Sequence, residues 1–376
     1  MMTSLDPRDL LYSKISCIAD ANVAPLVAAA LDDLAIPEAF VQRAKQLSLV
    51  ERSSLFGLRS RRVAAEDRAE LIRFYAPKPY ESGILRRVAE AADLYLPGRG
   101  SIFAEDALVR RGYAADFDEG RLAGLAPVET ARNETHSVLC CIVQRGMAES
   151  IALTALEMGL CVPMVSFGEG MGLRNKLGLL RITIPVDKDV MYFIVPERDA
   201  DLLEGLAVHK ARLDRPGQGF IYRFPVRAQA VNLRVSRGRR DSAASMEQVI
   251  MALDELRGSS EWRRLSSARR AHPRPDGQGM ELYCLSIIAE EGAVGDFVRA
   301  AMDAGAGGAT LVPLERRSYT LTKERSSHAR ETCDLIIPKT IAAKVMAAIE
   351  ARGLFEPEVH GVAELTQVGK AVTYQA

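Results

Sequence analysis

Two short glycine turns carry the residues best suited to chemistry. They are Leu96-Pro97-Gly98-Arg99-Gly100-Ser101-Ile102-Phe103 and Arg215-Pro216-Gly217-Gln218-Gly219-Phe220-Ile221-Tyr222. Without a Cβ, Gly98 and Gly100, or Gly217 and Gly219, can turn successive backbone N–H groups toward one point. Such a nest holds a phosphate or another small anion, with Arg99 and Gln218 beside it. The competing explanation is a helix C-cap running into a turn, which selects glycine equally well. Both turns follow a helical stretch and precede a strand-like one. A Walker loop or a dinucleotide fingerprint follows a strand and precedes a helix, so context excludes both.

A second candidate is Gly168-Glu169-Gly170-Met171-Gly172-Leu173-Arg174-Asn175-Lys176-Leu177-Gly178-Leu179-Leu180-Arg181. Gly168, Gly170 and Gly172 make its first half pliable, and Arg174, Lys176 and Arg181 bring positive charge around Asn175. Long loops in compact domains tend to be functional or disordered, and a plain hairpin tip is the competing explanation. Counterparts lie at 52–68, with Arg59, Arg61 and Arg62, and at 316–330, with Tyr319, Lys323 and Arg325.

The elements that must position these segments repeat. Twenty residues separate Pro77 from Pro97 and Pro196 from Pro216, and nineteen separate Pro338 from Pro357. Upstream of each lies a cysteine-bearing strand-like run, at Ser13–Ile18, Ser137–Val143 and Leu282–Ile287. An amphipathic helical stretch, two further apolar runs, a second helix and a final strand follow each. Every unit therefore reads βαββαβ, the split ferredoxin-like pattern, at roughly 100 residues apiece. The expected division is 9–113, 134–240 and 279–376, with a linker at 241–278. That linker carries an amphipathic helix from Met246 to Leu256 and arginines at 263, 264, 269 and 270. Internal repetition moves attention to the spaces between copies.

Composition sets limits. The 49 basic and 49 acidic residues cancel, which gives no electrostatic case for nucleic-acid binding. A hydrophobic content of 48% supports packed cores. No apolar run reaches the ~20 residues that span a bilayer, and the N-terminus lacks a signal-peptide layout, so a cytoplasmic protein is expected. Without a CxxC pair, the six cysteines read as reduced core residues.

The βαββαβ unit, its long second loop and the glycine turn before its last strand resemble the P-II nitrogen-regulatory protein family. The likeness is best where GMGLRNKLGLLRITIP is followed by RPGQGFIYRFPV, which resembles a divergent P-II-like branch. The segment SMEQVIMALDELRGSSEWR also looks like one found there. The resemblance implies an α+β architecture of three tandem P-II-like domains folded into an intramolecular pseudo-trimer. It also implies an adenine nucleotide, ATP or ADP, in clefts between units. Gly98, Arg99, Gly100, Gly217, Gln218 and Gly219 would hold the phosphates there. Gly168, Gly170, Gly172, Arg174, Asn175, Lys176 and Arg181 would report to a partner protein, often a membrane transporter. The third copy reads Glu356-Pro357-Glu358-Val359-His360-Gly361, a poor phosphate nest, so at most two competent clefts are expected. The chain departs from the family where Ser101 and Phe220 replace a lysine after the glycines. It also has no tyrosine between Gly168 and Asp187 for uridylylation.

Catalytic patterns are thin. His136, His209, His272, His328 and His360 are scattered without ligand spacing, and neither GxSxG nor HExxH occurs. An effector-binding signalling protein is the first expectation. A structural or metal-handling module and a regulatory or catalytic subunit of an enzyme are the alternatives.

Overall fold

The computed structural model describes residues 6–53, 60–125, 136–171, 186–215, 217–233, 235–237, 281–319 and 327–373. The helix expected at 246–256 and its arginine cluster lie outside these residues. In chain order the first part is β1 (Leu10–Asp20), α1 (Ala24–Asp33), β2 (Glu38–Ser53), β3 (Ser60–Pro77), α2 (Glu81–Ala91) and β4 (Gly100–Arg111), then a short α3 (Glu119–Leu122). The second is β5 (His136–Gln144), α4 (Ala148–Glu157), β6 (Met164–Met171), β7 (Asp187–Pro196), α5 (Glu197–Ala211), β8 (Gly219–Ala230) and β9 (Ser236–Arg237). The last is β10 (Leu282–Glu290), α6 (Val294–Asp303), β11 (Ala309–Ser318), β12 (Ser327–Pro338), α7 (Lys339–Ala351), β13 (Val362–Val368) and β14 (Lys370–Thr373).

The expectation of three tandem ferredoxin-like domains forming an intramolecular pseudo-trimer is corrected. The strands make one continuous 14-stranded sheet, ordered β14-β8-β5-β7-β6-β11-β12-β10-β13-β4-β1-β3-β2-β9, with further pairings β8–β4, β6–β2 and β11–β2. Backbone ladders cross every boundary. Glu315–Ser318 pair with Glu38–Val41, Ala309–Leu311 with Glu169–Met171, and Val362–Thr366 with Ala107–Arg111. The physical cause is edge satisfaction. A free edge strand leaves N–H and C=O groups unpaired, and here the edges pair with one another. At 16 and 18 residues, β2 and β3 also far exceed the usual strand of about six, which extends their reach across a boundary.

The helices line one face of the sheet over three apolar clusters. In the first, Val27, Leu31, Ile84, Leu85 and Val88 fall at helical spacing and pack on Ile15, Ile72 and Phe74. The opposite face curls inward on itself. There Ile18, Leu71 and Phe103 meet Val138, Tyr192 and Tyr222, together with Cys284, Val312 and Val368. All six cysteines are buried and free. Among the described residues no helix is long and apolar enough to cross a membrane.

Candidate functional site

The glycine turns have an architectural cause. Gly100 and Gly219 open β4 and β8, where each faces a residue of the neighbouring first strand. A Cβ on Gly100 would lie 2.2 Å from the Ile18 carbonyl oxygen, and one on Gly219 2.0 Å from that of Ile142. Their φ angles of +155° and +136° also disfavour any side chain. The glycines are therefore accounted for by sheet closure before any ligand is considered.

The first turn is also occupied by the chain itself. The Gly98 N–H donates to Asn232 Oδ1 at 3.0 Å, and the Asn232 N–H donates to Ser101 Oγ at 2.8 Å. Asn232 Nδ2 reaches Gln46 Oε1 at 3.3 Å. Arg99 turns back and donates from Nε to the Ala92 carbonyl at 2.9 Å, at the end of α2. In the second turn Gln144 Nε2 donates to the Gly217 carbonyl at 3.2 Å, and the Gln218 N–H faces the Arg215 carbonyl at 3.5 Å. Gly168 and Gly170 belong to β6 instead of a pliable loop. A Cβ on Gly168 would stand 2.6 Å from the Leu311 carbonyl oxygen of β11. Gly172, Arg174, Asn175, Lys176 and Arg181 lie outside the described residues.

Register identifies like positions in the three parts of the sheet. Arg73 faces Ser16 and Phe40, Tyr192 faces Cys140 and Met164, and Asp334 faces Ser286 and Thr310. Counting along the strands from these, Arg316 and Arg330 stand where the first part has Gln46 and Ala69 and the second has Gly170 and Lys188. Two arginines thus face the join between the last and first parts of the chain. Arg111, at the end of β4, stands at the same join.

Arg316 and Arg111 lie against one enclosed carboxylate, Glu38, which is 2% exposed. Arg316 Nε donates to Glu38 Oε2 at 2.6 Å, and the Tyr113 hydroxyl lies 2.8 and 2.9 Å from the two Glu38 oxygens. Arg111 Nη1 is 3.9 Å from Glu38 Oε1, and its guanidinium lies over the Tyr75 ring at 4.7 Å. Arg330 Nη1 donates to the Val359 carbonyl at 3.1 Å, and its nearest carboxylate is the largely exposed Glu290 at 3.8 Å. Among the described residues the buried Nε atoms of both Arg111 and Arg330 have no hydrogen-bond partner. The Tyr113 ring sits between the Arg316 guanidinium, at 4.7 Å, and the His360 ring, at 5.6 Å.

Positive charge is in excess here. Burial, followed by the neighbouring Arg316 charge, pushes the Arg330 guanidinium below its ordinary value. For Arg316, burial acts the same way, but Glu38 and Tyr113 outweigh it and raise the group. Burial and the Glu38 charge raise the Tyr113 phenol, which stays neutral and can donate.

Sequence reasoning named Arg316 and Arg330 only as the bounds of a loop, and it passed over Arg111, Tyr113 and Glu38. The available signal was a pair of arginines ending two strands that face each other, Arg316 opposite His328 and Arg330 opposite Leu314. Tyr319, read as part of that loop, is buried against the first part of the chain, where its N–H donates to the Pro37 carbonyl at 3.1 Å. Lys323 and Arg325 lie outside the described residues. No protein-family model matches this sequence, and no curated protein is detectably similar to it.

Proposed function

We propose that the chain is a non-catalytic regulatory protein that binds a small anionic effector where its last part meets its first. Adenine nucleotides are the first candidates, on the strength of the P-II resemblance, with inorganic phosphate as the minimal probe. The carrying observation is that, among the described residues, the buried Nε atoms of Arg111 and Arg330 have no hydrogen-bond partner, while Arg111 and Arg316 lie against the enclosed Glu38. Arg316 lies two residues before the end of β11 and Arg330 three residues after the start of β12, so their ligand would sit near those strand ends. Occupancy would reach a partner protein, a membrane transporter in the P-II-like reading, through the chain's long loops. Both glycine turns are secondary in this proposal, since their glycines have a packing cause and the first is filled by Asn232.

Calorimetric titration of the purified chain with phosphate, ATP, ADP and AMP tests it. One saturable site per chain is expected, weakened in both Arg330→Met and Arg316→Met. Three sites per chain, no binding of any of these anions, or binding that ignores both substitutions would overturn the proposal.

A further inference from the structure

On the inward-curled face of the sheet a cavity of about 20 Å³, room for one water-sized guest, is bounded by residues from all parts of the chain. Its charged groups nearly balance. Lys14 Nζ bonds Glu364 Oε1, and the Tyr75 hydroxyl donates to Glu364 Oε2. The Ser286 hydroxyl donates to Asp334 Oδ1 at 2.6 Å, and Arg73 Nη2 donates to the Tyr192 hydroxyl at 2.8 Å. Two cations therefore face two anions, each with a partner. Glu105 is the fifth charge. It is 3% exposed, its Oε1 lies 3.5 Å from Lys14 Nζ, and among the described residues its Oε2 has no hydrogen-bond partner.

Thr366 Oγ1, also buried, lacks a partner too. Thr366 pairs with Ala107, so it is the diagonal same-face neighbour of Glu105 across the β4–β13 ladder. A carboxylic acid at Glu105 removes the charge that unbalances the cluster and the cost of burying a second carboxylate beside Glu364. We propose that Glu105 is a dedicated proton-binding site at the centre of the molecule. Uptake or loss of that proton tightens or loosens the join between β4 and β13.

The groups facing it from each neighbouring element permit this. They are Lys14 from β1, Arg73 and Tyr75 from β3, Cys140 from β5 and Tyr192 from β7. Tyr222 from β8, Cys284 from β10, Asp334 from β12 and Glu364 from β13 complete the set. Burial raises the tyrosines and cysteines among them, which remain neutral through physiological pH. For Glu364 burial is outweighed by Lys14, which keeps it ionised. Burial first, then the Glu364 charge, push Glu105 up to about 7 against the pull of Lys14.

The sign follows. Between the ordinary carboxylate range and about pH 7 the folded chain holds a proton that the unfolded chain has released. Stability from this group is thus complete at acid pH and falls as pH rises through 7. Melting curves of wild type and Glu105→Gln between pH 5 and 9 should diverge, the variant lacking the decline that wild type shows up to about pH 7. Difference infrared spectra should show a protonated-carboxyl band in wild type at pH 6 that Glu105→Gln removes. If Glu105→Gln does not fold, Glu364→Gln should move the midpoint of the wild-type band downward by removing the neighbouring charge that opposes ionisation of Glu105. Superimposable pH profiles, an equal loss at every pH, or no protonated band at pH 6 would each overturn the proposal.

Discussion

Replacing Arg330 with methionine should strengthen the fold and weaken the anion site together. The guanidinium is enclosed, with 5% of its side chain exposed, and it has one backbone acceptor, Val359, at 3.1 Å. Among the described residues its ion-pair partner is Glu290, 3.8 Å away on a side chain 61% exposed, so that pair contributes at most about 1 kcal/mol. Against this stands a buried Nε without a partner, a defect that costs about 1–3 kcal/mol in a charged group. Methionine keeps an unbranched stem of similar reach and brings no unpaired donor. The net expectation is a gain of about 1 kcal/mol, a rise of roughly 2 °C in Tm. Phosphate loses one charge-assisted bond, about 1.5–3 kcal/mol, so its affinity should fall about 10–100-fold. Thermal melts with and without phosphate, paired with calorimetry, read both effects. A variant that melts well below wild type while titrating phosphate normally would refute the reasoning, for it would make Arg330 a structural tie to Val359.

Other perturbations separate packing from binding. Gly100→Ala and Gly219→Ala should each cost about 3 kcal/mol or more in denaturant unfolding, because the atoms met at 2.2 and 2.0 Å are backbone carbonyls that cannot swing aside. A loss under 1 kcal/mol would contradict the close approach. Asn232→Ala should destabilise by about 1–3 kcal/mol and expose the Gly98 N–H, adding a second, weaker phosphate site. An unchanged Tm would argue that Asn232 does not hold the turn. For Glu81, burial is outweighed by the bonds from Arg227 and Ser13, which hold its carboxyl down at about 2. Its stabilisation is present above the ordinary carboxylate range and is lost as pH falls toward 2, so Arg227→Met should move acid unfolding to higher pH. An acid midpoint indifferent to that substitution would remove the pair from the account.

The strands and helices are legible in the chain because each buries one face, and burial writes a period into the residues. Val27, Ala30 and Leu31, or Ile84, Leu85 and Val88, mark helices by their spacing alone. The continuity of the sheet left no such mark. Ladders such as Glu315–Ser318 on Glu38–Val41 use backbone groups that every residue carries. The polar run at 52–68 reads as a loop, yet β2 extends to Ser53 and β3 starts at Ser60, with polar residues such as Glu66, Asp67 and Arg68 in the ladder. The glycines are visible as a motif, while their cause is hidden in two carbonyl oxygens more than 70 residues upstream. Arg330 and Arg111 are lost among charged residues that make up 26% of the chain, because only burial without a full set of partners distinguishes them.

The same registers show how like positions diverge among the three parts of the chain. Copies within a single chain can diverge position by position. At the centre, Arg73, Tyr192 and Asp334 occupy like places, and their differences let a cation, a hydroxyl and an anion meet where three identical residues would repel or leave groups unpaired. At the rim the divergence runs the other way. Gln46 is tied to Asn232 and closes the first join, whereas Arg316 and Arg330 gather cations at the last. Asn232→Ala and Arg330→Met therefore act on two versions of one place, and the opposite signs expected for their stability effects follow from which version has its polar groups satisfied.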